Sequence, residues 1–259
     1  MTHFAPSLYD HFVTRSIPRP RVLLVHGSVV NGDTTWSAQR PLAEQFELVV
    51  PNRRGFPPGP DVERVDFEDE AGWLEQFVEP GTHLVGHSYG GVVSLYAAAR
   101  YAGQLRSLTV IEPPAFGLAR GRPGVDEFVA AAEALWEAGP RDPGAFLRSF
   151  LAAVGSALPP GDFSPALLQG ARTLMVERYP WLADPPLDEV AAAPFPKLVV
   201  SGAHSPAFDA VCDVLEARLD ATRAVLPGKG HSVQLLGGPF NELLAAFVER
   251  AEQGDAEQN

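Results

Sequence analysis

An α/β fold, with a mostly parallel sheet and helices on both faces, is what this sequence predicts, and three observations predict it. Compact apolar runs, such as Val22–Val25, Leu108–Ile111 and Leu198–Val200, alternate with helix-patterned segments. Several runs end in glycine at a strand-to-helix junction, most clearly in "LVGHSYGG" at 84–91. One stretch, 117–192, interrupts the alternation with helical blocks only.

The elements follow in order. A weak edge strand is expected around Tyr9 to Arg15, then a buried strand in "RVLLVHG". "WSAQRPLAEQF" (36–46) reads as a helix, with Pro41 arguing for a late start or a kink. "ELVVPNRRG" (47–55) is a strand and its exit loop, and "FPPGP" (56–60) a rigid loop. A helix capped by Asp66 is expected over 66–78, a strand over 82–88, a helix over 90–101 and a strand over 105–112 closed by Pro113-Pro114. Helical blocks follow around 125–137, 143–153, 164–178 and 187–192. Alternation then resumes with "PKLVVSG", a helix over 206–219, "TRAVLPG" and a last helix over 239–251, after which the chain is expected to fray. Residues 1–116 and 193–259 thus form one core domain. Residues 117–192 form a helical cap, inserted after the strand ending near Glu112 on the sheet edge where open α/β sheets bind ligands.

Composition narrows the function. The chain has 259 residues, 46% of them hydrophobic, enough for a sizeable core. Its formal net charge of −12 argues against nucleic acid and anionic membranes as partners. There is no apolar run long enough to span a bilayer, and the first residues lack the pattern of a secretory signal. Cys212 is the only cysteine, which fits a reducing compartment and a cytoplasmic setting. No phosphate loop is present, and no cofactor or metal is expected. His83 and His87 have an i, i+4 spacing, but they sit on a strand and its turn rather than on a helix. The expected partner is a small-molecule substrate; oligomeric state is left open.

The chemistry gathers around Ser88. A serine hydroxyl is a weak nucleophile until a base takes its proton. His231, in a Gly-rich loop after a late strand, is the best candidate base. Gly86-His87-Ser88-Tyr89-Gly90 resembles the G-x-S-x-G nucleophile elbow of the α/β-hydrolase superfamily, in the strand–turn–helix setting that the elbow needs. "VLLVHGS" is similar to that family's His-Gly strand end, "NRRGF" to its Arg-Gly loop, and "LPGKGHS" to its late Gly-x-Gly-His; the order Ser then His also fits.

The resemblance implies an oxyanion hole made by the backbone N–H of Tyr89 and an N–H from Ser28 or Val29. It implies a structural role for His26, and a loop-bracing role is expected for Arg53 and Arg54. It also implies an acid, commonly an Asp three residues after the glycine of "KLVVSG", a place held here by Ser205. Two other carboxylates are candidates: Glu112, at the end of the strand after the elbow helix, is favoured, and Asp209 is the alternative. The function implied is a serine hydrolase of carboxylesterase type, cleaving a small, mainly apolar ester, thioester or lactone through an acyl-enzyme on Ser88. The alternative on the same site is an enzyme of carbon–carbon hydrolase, cofactor-free peroxidase or hydroxynitrile lyase type, classes that occur among relatives with the same triad. A non-catalytic small-molecule receptor is a third possibility, raised by Ser205. The large apolar residues of the cap (Phe128, Leu135, Trp136, Phe146, Phe150, Met175, Tyr179 and Trp181) are expected to pack together, with some lining the substrate pocket.

Overall fold

The computed structural model describes residues 19–156 and 161–256. The expected edge strand near Tyr9 lies outside them. The described strands are β1 (Arg21–Val25), β2 (Glu47–Val49), β3 (Thr82–His87), β4 (Leu105–Ile111), β5 (Lys197–Ser201) and β6 (Thr222–Val225). They form one sheet in the order β2-β1-β3-β4-β5-β6, with every pair parallel. From β1 the chain winds outward to β2, crosses back to β3, and then proceeds to the opposite edge, the doubly-wound pattern.

Side chains alternate along each strand and so supply two cores. Leu23, Val25, Leu84, Leu108, Val110 and Val199 face one side. There they meet α2 (Phe67–Trp73), α3 (Tyr89–Arg100) and α8 (Pro206–Leu219). Val22, Leu24, Val85, Ile111, Leu198 and Val200 face the other, against Trp36, Leu42 and Phe46 and the long α9 (Gly238–Ala256). Both faces are buried, which is why these strands read as continuous apolar runs.

Two local readings need correction. The segment expected as a helix over 36–46 is a 3-10 helix over Ser37–Glu44, and a four-residue turn of α-helix, α1 (Gly32–Thr35), precedes it. Pro41 lies within the 3-10 helix; it has no N–H to give and crowds the preceding turn, so a regular α-helix does not propagate. At the other end, α9 continues past residue 251 to Ala256.

Between β4 and β5 lie α4 (Val125–Ala138), α5 (Pro143–Ala153), α6 (Pro165–Met175) and α7 (Leu187–Ala192). Asp142 and Ser164 cap α5 and α6 through their side chains, each followed by a proline in the first turn. Leu187 and Val190 of α7 belong to the core shared with α3 and α8. By contrast, Phe146 and Leu147 of α5 and Ala171 and Leu174 of α6 form a separate cluster with Val29, in the loop after β1. The helical excursion therefore rests on the carboxyl edge of the sheet. The contact is close: a Cβ on Gly170 would come within 1.9 Å of the Val29 carbonyl oxygen, so only glycine lets α6 approach this loop.

Candidate active site

Three neighbouring strand ends converge on one place. His87 pairs with Ile111, and Ile111 with Val200, so the residues that follow β3, β4 and β5 emerge side by side. Ser88, directly after β3, has φ 54° and ψ −127°. This is left-handed backbone for a residue with a Cβ, and it is held by Ser88 N–H donating to Ile111 O (2.9 Å) and by the start of α3. The elbow also needs room behind it. A Cβ on Gly90 would lie 2.4 Å from the carbonyl oxygens of Val25 and His26. The glycine after Ser88-Tyr89 therefore exists because the helix start packs directly on the end of β1.

Glu112 follows β4 with φ 46° and is fully buried. Its Oε1 accepts from Gly202 N–H (2.6 Å), and its Oε2 accepts from His231 Nδ1–H (2.8 Å). His204 Nδ1 lies 3.2 Å from Oε1. Burial alone would push this carboxyl up; His204, His231 and the Gly202 N–H more than reverse that and hold it at about 2. Asp209 is turned elsewhere. It accepts from Ser201 Oγ (2.5 Å) and pairs with Arg223 (3.4 Å). From the first turn of α8 its Oδ1 reaches Ser201 and Arg223 rather than the imidazole. Of the two candidate acids, the structure brings Glu112 to His231.

His231 is 8% exposed and Ser88 9%, and both line one pocket. With Nδ1 engaged by Glu112, Nε2 is the ring nitrogen left to take a proton. His231 is also held from its main chain, because His87 Nε2–H donates to its carbonyl oxygen (2.9 Å). Burial, with His231 close by, keeps His87 neutral by lowering it to about 3.

The loop after β1 is braced more heavily than the sequence suggested. His26 Nδ1–H donates to Gly27 O (2.8 Å), and its Nε2 accepts from Arg53 N–H (2.8 Å). Burial first, then the nearby Arg53 charge, lowers His26 to about 3, so it is a neutral brace. Arg53 is buried and donates to Glu70 (3.0 Å), Glu177 (3.0 Å) and Gly27 O (3.1 Å); Arg54 shares Glu70 (2.7 Å). Ser28 Oγ donates to Glu177 Oε2 (2.5 Å). Val29 has φ 76°, an unusual backbone for a β-branched residue. Tyr89, opening α3, lies beneath the Arg53 guanidinium at 4.5 Å. The Tyr89 N–H at the helix start and the turn at Ser28-Val29 are thus both rigidly placed beside Ser88.

The pocket is narrow, with a cavity volume of about 50 Å³. Its apolar wall comes from the helical excursion (Phe116, Phe128, Leu135, Trp136, Phe150 and Trp181) and from Phe208 of α8. Of the other expected cap residues, Phe146 and Met175 pack into the cluster around Val29, while Tyr179 stacks on Trp181. Ser28 and Glu177 supply a polar corner.

Sequence reasoning missed Glu177, Glu70 and His204 as site-forming residues. Glu177 lies in the excursion without a motif, and His204 occupies the loop where an Asp was sought. Among the described residues, one group of His and acidic ligand atoms falls within 4.8 Å of one another: Glu112, His204 and His231. The Glu112–His231 hydrogen bond already uses one nitrogen a cation would require. His83 and His87 do not converge on an ion. The former bonds Ser107 (2.8 Å) and Glu252 (3.2 Å), the latter the His231 carbonyl.

Comparison with known proteins bears on the family and the fold. A model of the alpha/beta hydrolase family matches residues 22–243. A 2-(acetamidomethylene)succinate hydrolase from Mesorhizobium japonicum is 26% identical, over 86% of this chain and 90% of that one. A thermophilic esterase from Thermogutta terrifontis superposes with a TM-score of 0.60 at 20% identity, covering 90% of this chain and 91% of its own. An N-acyl homoserine lactone degrading enzyme superposes with a TM-score of 0.59 at 21% identity, covering 88% and 92%. No helix among the described residues is long and apolar enough to cross a membrane. The sheet, the elbow and the family match together place this chain in the alpha/beta hydrolase family.

Proposed function

We propose that this protein is a serine hydrolase for a small, mainly apolar carboxylic ester, thioester or lactone. The observation that carries the reading is the 2.8 Å bond from His231 Nδ1 to the buried Glu112, at the mouth of a pocket that also holds the strained Ser88. His231 Nε2 takes the Ser88 proton as Oγ attacks the carbonyl. The Tyr89 N–H and an N–H of Ser28 or Val29 receive the oxyanion. His231 then gives its proton to the leaving group, and a water activated by the same nitrogen releases the acyl group. Glu112 fixes the tautomer and balances the imidazolium, so Ser205 in the usual acid position no longer favours a non-catalytic receptor. Residues 117–192 act as a cap whose aromatic wall sets the size and polarity of the substrate.

The relatives support the reaction class: one is a hydrolase of an acetamido-substituted diacid, one an esterase, one degrades a lactone. The apolar wall favours uncharged acyl groups. The test is incubation with a fluorophosphonate, followed by peptide mass spectrometry, beside turnover of short p-nitrophenyl esters. A single adduct on Ser88 that is lost in Ser88→Ala, together with ester turnover, is expected. Folded protein with neither adduct nor turnover would overturn the reading.

A further inference from the structure

The loop that lacks an Asp holds a histidine instead, and that histidine faces the same carboxylate. Ala203, with φ 52°, turns the backbone after β5 so that His204 projects toward Glu112. The two oxygens of Glu112 are divided: Oε2 serves His231, while Oε1 serves Gly202 N–H and stands 3.2 Å from His204 Nδ1. His204 is 14% exposed at its side chain, and its ring lies 5.9 Å from that of His231 and 5.3 Å from Phe208. The groups facing it are few. Glu112 comes from the end of β4, Asp209 from α8, the backbone at Val154 from the end of α5, and His231 from the loop after β6.

From this geometry we infer that His204 is a second, positioning histidine on Glu112: it stands against the carboxylate oxygen that His231 does not use and, when charged, opposes protonation of His231. The inference rests on the proposed role of Glu112 and His231. Two imidazoles share one negative charge. When His204 is protonated, it competes with the His231 imidazolium for Glu112 and repels it directly. Contact with Glu112 raises His204 above its ordinary value in spite of burial, so the cationic form is present at higher pH than for a free histidine. The sign follows. A cationic His204 makes His231 harder to protonate and keeps the base available in mildly acidic solution. Removing that cation makes His231 easier to protonate.

The experiment compares wild type with His204→Gln, which keeps a hydrogen-bond donor near Oε1 and loses the charge. The first readout is kcat/KM for p-nitrophenyl butyrate between pH 5 and 9. The acidic limb in H204Q is expected to move upward by roughly half a pH unit to two units. That is the range Coulomb's law spans at 5.9 Å between water and an effective dielectric near 20. Each profile is read relative to its own alkaline plateau, so a change in plateau height does not enter the shift.

The second readout needs no turnover. Imidazole nitrogen NMR titrations of both proteins should show the His231 midpoint moving with the acidic limb and, in wild type, His204 titrating as a partner of His231. Thermal melts confirm folding, and His204→Asn repeats the test where H204Q does not fold. Coincident His231 titrations in wild type and a folded variant would overturn the inference, leaving His204 a packing residue. If esters are not turned over at all, the proposed hydrolase reading fails, while the NMR titration still decides the coupling.

Discussion

Replacing Glu112 by glutamine tests the centre of the proposed mechanism. The substitution keeps the side chain's shape, and its oxygen can still accept from Gly202 N–H. It removes the charge and turns a donor toward His231 Nδ1. Glu112 is displaced from an ordinary 4.5 to about 2, a differential interaction of about 3 kcal/mol with the groups around it. Only the part of it that strengthens as His231 becomes an imidazolium counts in the rate, and about 3 kcal/mol is the upper bound, roughly a hundredfold. The amide also favours the wrong tautomer, with the proton on Nε2, where Ser88 must deliver one. The equivalent change in a serine protease lowers kcat about 10⁴-fold. We therefore expect E112Q to lose 10³- to 10⁴-fold in kcat for p-nitrophenyl butyrate with KM within a few-fold of wild type, and Asp209→Asn to stay within about threefold. Circular dichroism and a urea melt confirm that both are folded. Turnover by folded E112Q within tenfold of wild type, or a large loss in D209N instead, would refute the reasoning.

Other outcomes follow from the same geometry. Because Glu112 is held below its unfolded value, its contribution to stability is present above about pH 4.5 and is lost as pH falls toward 2. Urea melts should show the stability gap between wild type and E112Q narrowing across that window. Arg53→Met leaves Glu70 and Glu177 buried without their shared cation and should cost about 3–5 kcal/mol in the same assay; a loss under 1 kcal/mol would deny that the charge balance matters. Gly170→Ala drives a methyl into the Val29 carbonyl and should destabilise by about 1–3 kcal/mol, while lowering activity through the turn beside Ser88. Trp136→Ala opens the apolar wall, and the ratio of kcat/KM for p-nitrophenyl octanoate over acetate should rise at least severalfold; an unchanged ratio would place the acyl chain elsewhere.

The sequence by itself determined the sheet and the elbow, and it singled out His231 as the proposed base. Strands buried on both faces must be continuous apolar runs, a local demand that residue order exposes; the glycine at 90 was legible through the elbow motif, although the atoms that demand it belong to Val25 and His26 on another strand end. The sequence also narrowed the acid to Glu112 and Asp209. Choosing between them required β4 and β5 in register, because only that pairing sets Glu112 beside the His231 loop while α8 carries Asp209 to Ser201 and Arg223. His204 and Glu177 were invisible for a related reason. Their partners lie 92 and 149 residues away, at Glu112 and Ser28, and no spacing rule links a loop histidine or a helix-end glutamate to residues so distant. The shape of the pocket is likewise tertiary. Which aromatic side chains of 117–192 face Ser88, and which bury themselves around Val29, depends on how closely α6 settles on the β1 loop, a distance fixed by packing rather than by pattern.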